Sequence, residues 1–171
     1  QPIYVDYTST LMKLDLSQYR ELRSRVAIGG DIELVEGGLD RVEDIVEIYN
    51  DAFSIYPWFT RWEVEDARRY YDRHKPFVYI AYSNDEPIGY CDGKVYRNIV
   101  GREVGYIYTL AVKKKYWGHG IGTVLLYKLI DRLLNEGVRD IYLDAVDRLE
   151  KYYGKRGFRI VARTLSYIIE L

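Results

Sequence analysis

The spacing of apolar residues changes along the chain, and each change predicts a different kind of secondary structure. Apolar residues first recur at intervals of three and four, which predicts helices near residues 40–53 and 61–74. Asp40 and Glu43 fit a capping box at the start of the first of these helices. After Pro76 apolar and polar residues alternate, which predicts three strands joined by short hairpin turns, at residues 77–82, 87–96 and 103–112.

The flanking segments complete the predicted order of elements. A helix over residues 15–28 and a strand at 31–37 precede this region. Beyond it the pattern predicts, in order, a helix at 121–136, a strand at 138–146, a short helix with Asp147 as its N-cap, and two strands within 157–171. The chain contains no repeat and no clear linker. We therefore expect an α/β (α+β) domain with a mixed, largely antiparallel sheet.

Composition narrows the class of protein. A chain of 171 residues with 48% hydrophobic and 30% charged residues is typical of a globular domain with one core. No apolar run approaches the roughly 20 residues of a membrane span, and the first residues lack a secretory signal pattern. The net charge of −1 argues against a wide nucleic-acid footprint. We expect a cytoplasmic protein without membrane or direct nucleic-acid binding, and a homodimer stays open.

Cysteine and histidine offer little metal or redox chemistry. Cys91 is the only cysteine, so no internal disulfide can form, and its place in a predicted strand indicates a buried, inert thiol. The two histidines, His74 and His119, lie far apart and show no metal-ligand spacing. We expect no metal cofactor.

Three glycines alternate in the stretch YWGHGIGTVLL, at Gly118, Gly120 and Gly122, between a predicted strand and a predicted helix. Each glycine within an element lowers stability by roughly 0.5–1 kcal/mol relative to alanine, because it loses more conformational entropy on folding. We therefore expect the three glycines to serve a function that requires backbone without side chains. A helix N-terminus carries unpaired N–H groups and a partial positive charge, and glycines let a bulky anion approach them. The stretch therefore predicts a cradle for a phosphate or pyrophosphate.

Two common nucleotide motifs fit this stretch poorly. A P-loop needs Lys-Ser or Lys-Thr after its last glycine, whereas Thr123 and Val124 follow Gly122. A dinucleotide-binding fold needs the spacing GxGxxG after its first strand, whereas here GxGxG follows several antiparallel strands. A phosphoryl-transfer site and a dinucleotide site are both disfavoured.

Two motifs together resemble the GNAT superfamily of N-acetyltransferases. The stretch LAVKKKYWGHGIGTVLLYKLI is similar to the family's acetyl-CoA-binding motif, with Gly120 and Gly122 at the motif glycines and Trp117 where the family favours Arg or Gln. Downstream, YYGKRGF is similar to the family's Tyr-x-x-x-Gly-Phe ending, with Tyr153 as its tyrosine. The resemblance covers residues 31–171 as the acetyltransferase domain and leaves 1–30 as an N-terminal extension.

The resemblance implies a fold with a splayed strand pair that holds acetyl-CoA. It implies that the main chain of residues 110–112 pairs with the pantetheine arm, that an amide near Leu110 polarises the thioester carbonyl, and that residues 118–123 wrap the pyrophosphate. His119 then serves mainly through its backbone. The residues expected to contact the cofactor are Leu110, Ala111, Val112, Trp117, Gly118, His119, Gly120, Ile121, Gly122, Thr123 and Tyr153.

The implied reaction is direct attack of a neutral primary amine on acetyl-CoA in a ternary complex. Tyr153 matches the family's general acid for the leaving thiolate. Some members place a basic carboxylate where this chain has Tyr106, and others use an acid where the stretch LDAV places Asp144. Asp144 is therefore the candidate base, with Glu103 or a water chain as alternatives.

Several residues keep two interpretations. Lys113–Lys115 form a solvated turn or contact cofactor phosphates, and Lys155 and Arg156 are surface charges or contact the 3′-phosphate. The stretch SIYPWFT, with Tyr56, Trp58 and Phe59, lines an acceptor groove or joins the core.

The acceptor is a protein α-amino group, a lysine or a small amine. The alternative function is a catalytically weak acyl-CoA-binding sensor or interaction module with the same fold.

Overall fold

A computed structural model of the chain describes residues 3–27, 29–146 and 148–169, with side chains for 9–27, 29–146 and 148–163. The strands are β1 (Ile3–Leu14), β2 (Glu33–Gly37), β3 (Phe77–Ser83), β4 (Glu86–Arg97), β5 (Glu103–Val112), β6 (Ile141–Val146) and β7 (Phe158–Ile169). The helices are α1 (Leu16–Arg23), α2 (Val42–Ala52), α3 (Val64–His74), α4 (Ile121–Asn135) and α5 (Glu150–Gly154), and short 3₁₀ turns cover Leu39–Arg41 and Lys114–Tyr116.

The strands form one sheet in the order β2-β3-β4-β5-β6-β1-β7. β3 pairs antiparallel with β2 and with β4, and β1 pairs antiparallel with β6 and with β7. A sheet of this kind with flanking helices confirms the predicted fold class. The splayed strand pair stays a prediction.

The N-terminal residues contribute a strand that the apolar pattern does not predict. β1 lies between β6 and β7 in the sheet, where Leu11 is opposite Asp144 and Leu14 is opposite Phe158. Met12 and Leu14 are buried. The predicted helix after it is shorter than expected and begins behind Asp15, whose carboxylate accepts hydrogen bonds from two backbone N–H groups. The division at residue 30 stays a prediction.

The C-terminal segment forms one strand, so the prediction of two strands is wrong. β7 runs from Phe158 to Ile169 along β1, with a register shift between the partners of Leu11 and Met12. Ala162 pairs with Leu11 and Ile160 with Met12, which leaves Val161 as the extra residue of a bulge. A bulge interrupts the alternation of two, and for that reason the pattern predicted a break between strands.

The capping box predicted for α2 is also wrong. Asp40 lies inside the 3₁₀ turn that precedes the helix, and α2 begins behind Arg41 with no side-chain cap. α3 ends at His74, before Pro76 as predicted, and Lys75 takes a left-handed φ of 46° at the end of the helix. The predicted N-cap Asp147 lies outside the described residues.

The described residues divide into two compact units. The first falls within residues 1–25, 95–106 and 138–171, and the second within 26–94 and 107–137. In the second unit, α2 and α3 bury apolar side chains against the strands, and α4 buries residues at helical spacing such as Leu125 and Leu129. Among the helices described, none has the length and apolar character that a bilayer crossing requires.

Among the described residues of the second unit, one carboxylate, Asp92, is buried. Asp92 is 1% exposed, and the Tyr71 hydroxyl donates a hydrogen bond of 2.6 Å to its Oδ2. Burial raises the pKa of Asp92 to about 6. The neighbouring Cys91 is fully buried, and burial raises the pKa of its thiol, as expected for an inert cysteine.

Asp92 makes stability depend on pH in a defined direction. Its carboxyl has a pKa of about 6 in the folded chain, above the ordinary 3.8, so the folded state binds more protons between these values. The stability it contributes is present at low pH and is lost as the pH rises through about 6. Asp92→Asn removes this loss, so from about pH 4 to about pH 7 the free energy of unfolding should shift by about 2 kcal/mol in favour of the variant.

Chemical denaturation at several pH values measures this shift. Asp72→Asn is the matched control, because it removes an aspartate that is exposed on α3. A pH-independent difference between Asp92→Asn and the native chain would contradict the burial argument.

Candidate functional site

The glycine loop, residues 117–122, leads from the turn behind β5 into α4. Gly118 and Gly120 have φ values of 81° and 77°, in the left-handed region that favours glycine. A Cβ at either position would meet no other atom within 4 Å, so this backbone borders open space. The structure thus places uncovered main chain where the glycine spacing predicts it.

α4 begins without a side-chain cap. Gly120 is its N-cap residue, the first turn contains no acidic side chain, and the Val124 N–H donates to the Gly120 carbonyl at 3.2 Å. The N–H groups of a first turn have no partners within the helix and carry partial positive charge. Because the glycines leave room beside this end, the residues present fit a pyrophosphate.

Two side chains of the loop bond to its own backbone. The Trp117 ring N–H donates to the Val112 carbonyl at 2.6 Å. His119 Nδ1 lies 3.1 Å and 3.0 Å from the carbonyl oxygens of Tyr116 and Trp117. Carbonyl oxygens only accept, so Nδ1 carries the hydrogen. Both side chains therefore support the shape of the loop, and a role for His119 through its backbone agrees with this geometry.

The end of β5 lies tightly against β4. A Cβ on Gly89 of β4 would come within 3.0 Å of the Ala111 carbonyl oxygen and of the Leu125 side chain. Ala111 is 3% exposed, whereas Leu110 and Val112 are half-buried. The three residues expected to pair with a pantetheine arm therefore form the end of β5. On one side, β5 packs closely against β4, because Gly89 of β4 has no side chain to hold the two strands apart.

The lysines before the loop are engaged with carboxylates. Lys113 is 5% exposed and bonds to Glu47, with Glu86 at 3.5 Å. Lys115 Nζ lies 2.7 Å from Glu86, and this contact, with the Tyr116 hydroxyl, lowers the pKa of Glu86 to about 2. The expectation of a solvated turn is wrong for Lys113, because a buried ammonium needs partners and has two.

In the first unit, Asp144 accepts two hydrogen bonds. It is exposed on β6, the Ser9 hydroxyl donates to its Oδ1 at 3.3 Å, and the Tyr106 hydroxyl donates to its Oδ2. Burial, and then the bond to Asp144, raises the pKa of Tyr106, so the phenol stays protonated. Glu103, the alternative base, lies at the start of β5 with Arg97 at 3.8 Å.

Tyr106 is the functional candidate that sequence reasoning missed. The resemblance to the family marks it only as the residue at a place where some members have a carboxylate. Its contact with Asp144 joins residues 38 positions apart on different strands. The pairing of β5 with β6 in the sheet brings polar residues of both strands to one face, and no local spacing in the sequence indicates that pairing.

Tyr153 is 8% exposed on α5 and packs edge-on against Tyr152 and Phe158, with ring centroids 5.2 Å and 5.9 Å away. Gly157 has a φ of 100°, and a Cβ there would lie 3.4 Å from the Tyr19 backbone nitrogen. The glycine of this second motif therefore permits a close approach to α1.

The two basic residues after α5 differ in their contacts. Arg156 Nη1 donates to the Tyr152 carbonyl at 2.7 Å, and its guanidinium lies 3.4 Å from the centre of the Tyr152 ring. Lys155 is exposed. Arg156 thus contacts the neighbouring residue Tyr152. For Lys155 both interpretations stay open, a surface charge or a contact with the 3′-phosphate.

An aromatic cluster extends from α2 through the following loop. Tyr56 and Trp58 stack with ring centroids 4.9 Å apart and planes 12° apart, and Trp58 is 43% exposed. At its other end Tyr49 and Trp62 pack on the core, 5.1 Å apart. Of the three aromatic residues in the stretch SIYPWFT, Tyr56 and Phe59 are half-buried and Trp58 is exposed, so none of them lies in the core, and the acceptor groove stays a prediction. The aromatic cluster comprises Tyr49, Phe53, Tyr56, Trp58, Phe59 and Trp62.

In the part of the chain that the structure describes, no three His, Cys, Asp or Glu side chains converge in a group that could hold a metal ion.

Comparison with known proteins decides the family. A family model described as the acetyltransferase (GNAT) family matches residues 42–158, which include the glycine loop and the second motif. The chain belongs to the acetyltransferase (GNAT) family. Membership confirms the resemblance to the N-acetyltransferases of this family.

Two curated GNAT relatives share part of their length with this chain. N-alpha-acetyltransferase 30 of Schizosaccharomyces pombe is 35% identical over 107 residues, 59% of this chain and 70% of that protein. An uncharacterized N-acetyltransferase of Methanocaldococcus jannaschii is 29% identical over 110 residues, 61% of this chain. The match spans about half, 49%, of the latter protein.

A solved structure shows the same GNAT fold. The NatC complex, solved with Gag peptide and CoA, matches with a TM-score of 0.59 and 24% identity over 72% of this chain and 82% of that one. This likeness supports the sheet and helix arrangement described above.

Proposed function

We propose that this protein is an acetyl-CoA-dependent N-acetyltransferase that acts on the α-amino group of a protein or peptide. The observation that carries the proposal is the uncapped start of α4 behind two glycines with positive φ. The 35% identity to N-alpha-acetyltransferase 30 supports the acceptor class, as does the peptide bound in the NatC structure.

The glycine loop is the proposed pyrophosphate site. Residues 118–123 present backbone amides, and the open space at Gly118 and Gly120 leaves room for a bulky anion. The main chain of residues 110–112 is proposed to pair with the pantetheine arm as an added strand would. The amide near Leu110 is proposed to polarise the thioester carbonyl. When bound, the cofactor supplies an acetyl group activated by its thioester.

Asp144 is the proposed general base. It accepts bonds from Ser9 and Tyr106, which hold the carboxylate in one orientation. An α-amino group has a pKa of about 8, so about a tenth is already neutral at pH 7, whereas a lysine side chain has a pKa of about 10.4. A modest base such as a carboxylate therefore suits an α-amino acceptor better than a lysine.

Tyr153 is the proposed acid for the leaving sulfur. The ordinary pKa of tyrosine is about 10 and that of a thiol about 8.5, so a phenol can donate to a thiolate only when it is held close to it. Its packing against Tyr152 and Phe158 restricts the ring to one position, which such a role needs.

The exposed end of the aromatic cluster is the proposed acceptor wall. Tyr56 and Trp58 form a stacked, half-open apolar surface, which suits an apolar side chain near the start of a peptide.

Gly120→Val tests the pyrophosphate site. A branched side chain would occupy the space beside the α4 start, so CoA binding measured by calorimetry should fall at least a hundredfold. Gly101→Val is the matched control, because Gly101 also has a positive φ, 79°, and open space, but lies in the β4–β5 turn. The control should fold with similar strain and bind CoA normally. Equal affinities in both variants would count against the cradle.

Asp144→Asn tests the base against its alternative. Loss of a general base should lower kcat by about 10²–10⁴-fold, and kcat should stay within about twofold in Glu103→Gln. Thiol release from acetyl-CoA measures both rates. The opposite pattern would assign the base to Glu103, and two near-normal variants would indicate a water chain.

Mass spectrometry of three acceptors tests the acceptor class. The first is a peptide with a free α-amino group and no lysine, the second an N-terminally blocked peptide with one lysine, and the third a small amine. We expect acetylation of the first only, at its N-terminus. Acetylation of the second or third would overturn the α-amino proposal. CoA binding without acetylation of any would favour the acyl-CoA-binding module.

A further inference from the structure

We propose that helix α2 positions the glycine loop through a polar clasp. The α2 clasp consists of Glu47, Asp51 and Ser54, which contact Lys113 and Lys114. An interval of four residues brings Glu47 and Asp51 to one face of the helix, and Ser54 lies in the turn that directly follows it. The proposal rests on the proposed function, since the loop positions a cofactor only if CoA binds there.

Lys113 is the buried half of the clasp. Its ammonium bonds to Glu47, and its backbone N–H donates to the Ile88 carbonyl of β4 at 2.8 Å. It directly follows Val112, whose carbonyl accepts the Trp117 ring N–H. Removing one partner of a buried ion pair leaves an uncompensated charge, so Lys113 depends on Glu47 and Glu86 to keep this place.

Lys114 is the residue of the clasp whose backbone orientation is set by α2. Its backbone N–H donates to Asp51 Oδ1 at 2.8 Å, and its Nζ donates to Ser54 Oγ at 2.9 Å. A bond from a backbone N–H to a carboxylate is charge-assisted and sets the orientation of the peptide group. Lys114 begins the 3₁₀ turn that leads into the glycine loop, so this orientation is passed to Gly118.

α2 is a firm anchor for the clasp. Its opposite face is buried, with side chains that are at most 5% exposed, namely Val42, Ile45, Val46, Ile48 and Ala52. Backbone amides bind an anion well only when they are already oriented, because ordering a loop during binding costs affinity. The clasp supplies that order before the ligand arrives.

The clasp and direct phosphate contact predict opposite effects for one variant. If Lys113 contacted phosphate, Glu47→Gln would release a competing carboxylate and tighten CoA binding. If Lys113 positions the loop, Glu47→Gln weakens CoA binding, because the lysine loses the partner that holds it.

Calorimetry with CoA and native protein, Glu47→Gln, Asp51→Ala and Lys113→Met tests the proposal. Each variant should raise the Kd by about tenfold, which corresponds to about 1.4 kcal/mol. Glu47→Gln combined with Lys113→Met should bind no more weakly than Lys113→Met alone. Glu43→Gln is the matched control, because Glu43 lies one turn earlier on α2 and pairs with Arg68, so its Kd should not change.

Steady-state kinetics separates positioning from general damage. In the clasp variants the KM for acetyl-CoA should rise while kcat at saturation changes little. Melting temperatures show whether each variant is folded, and Asp51→Ala keeps the test open if the buried Lys113→Met is not.

The outcomes separate the two proposals. Unchanged or tighter CoA binding by Glu47→Gln and Asp51→Ala, with normal binding by the native chain, would overturn the clasp alone. Absence of CoA binding by the native chain would overturn the proposed function, and the clasp would lose its purpose with it.

Discussion

The proposed pyrophosphate site in the second unit depends on the start of α4, which no side chain caps. A helix usually meets its first N–H groups with a polar side chain, and this helix has glycine there instead. The missing cap leaves the amides available to an anion and costs local stability. The apolar face of α4 offsets that cost, because Leu125, Leu129 and Leu133 are fully buried and hold the helix in place whether or not its first turn is capped.

Charge around the glycine loop is arranged differently from what a run of three lysines indicates. Lys113 and Lys115 share the carboxylate of Glu86, and Lys113 also has Glu47. These carboxylates compensate the positive charge of both ammonium groups in part. In the proposed site the backbone amides of the glycine loop bind the pyrophosphate, and the α2 clasp is proposed to set their direction.

The first unit brings polar groups together in a different way. Ser9, Tyr106 and Asp144 belong to three strands, and two hydrogen bonds join them into one group. Burial of Tyr106 keeps its phenol protonated, so it donates to the carboxylate rather than competing with it for a proton. A carboxylate held in this way keeps one orientation, which is what the proposed role of Asp144 needs.

Local patterns in the sequence were enough to predict most elements between residues 31 and 146, the uncovered glycine backbone and the family, because periodicity and glycine spacing depend on neighbours a few residues away. Pairing over long separations was decided only in the tertiary structure. β1 is a strand because β6 and β7 flank it, β7 continues through the bulge at Val161, and Lys113 is buried beside the carboxylate of Glu47 on α2, 66 positions away. Such contacts depend on which distant segments meet, and no local spacing records that.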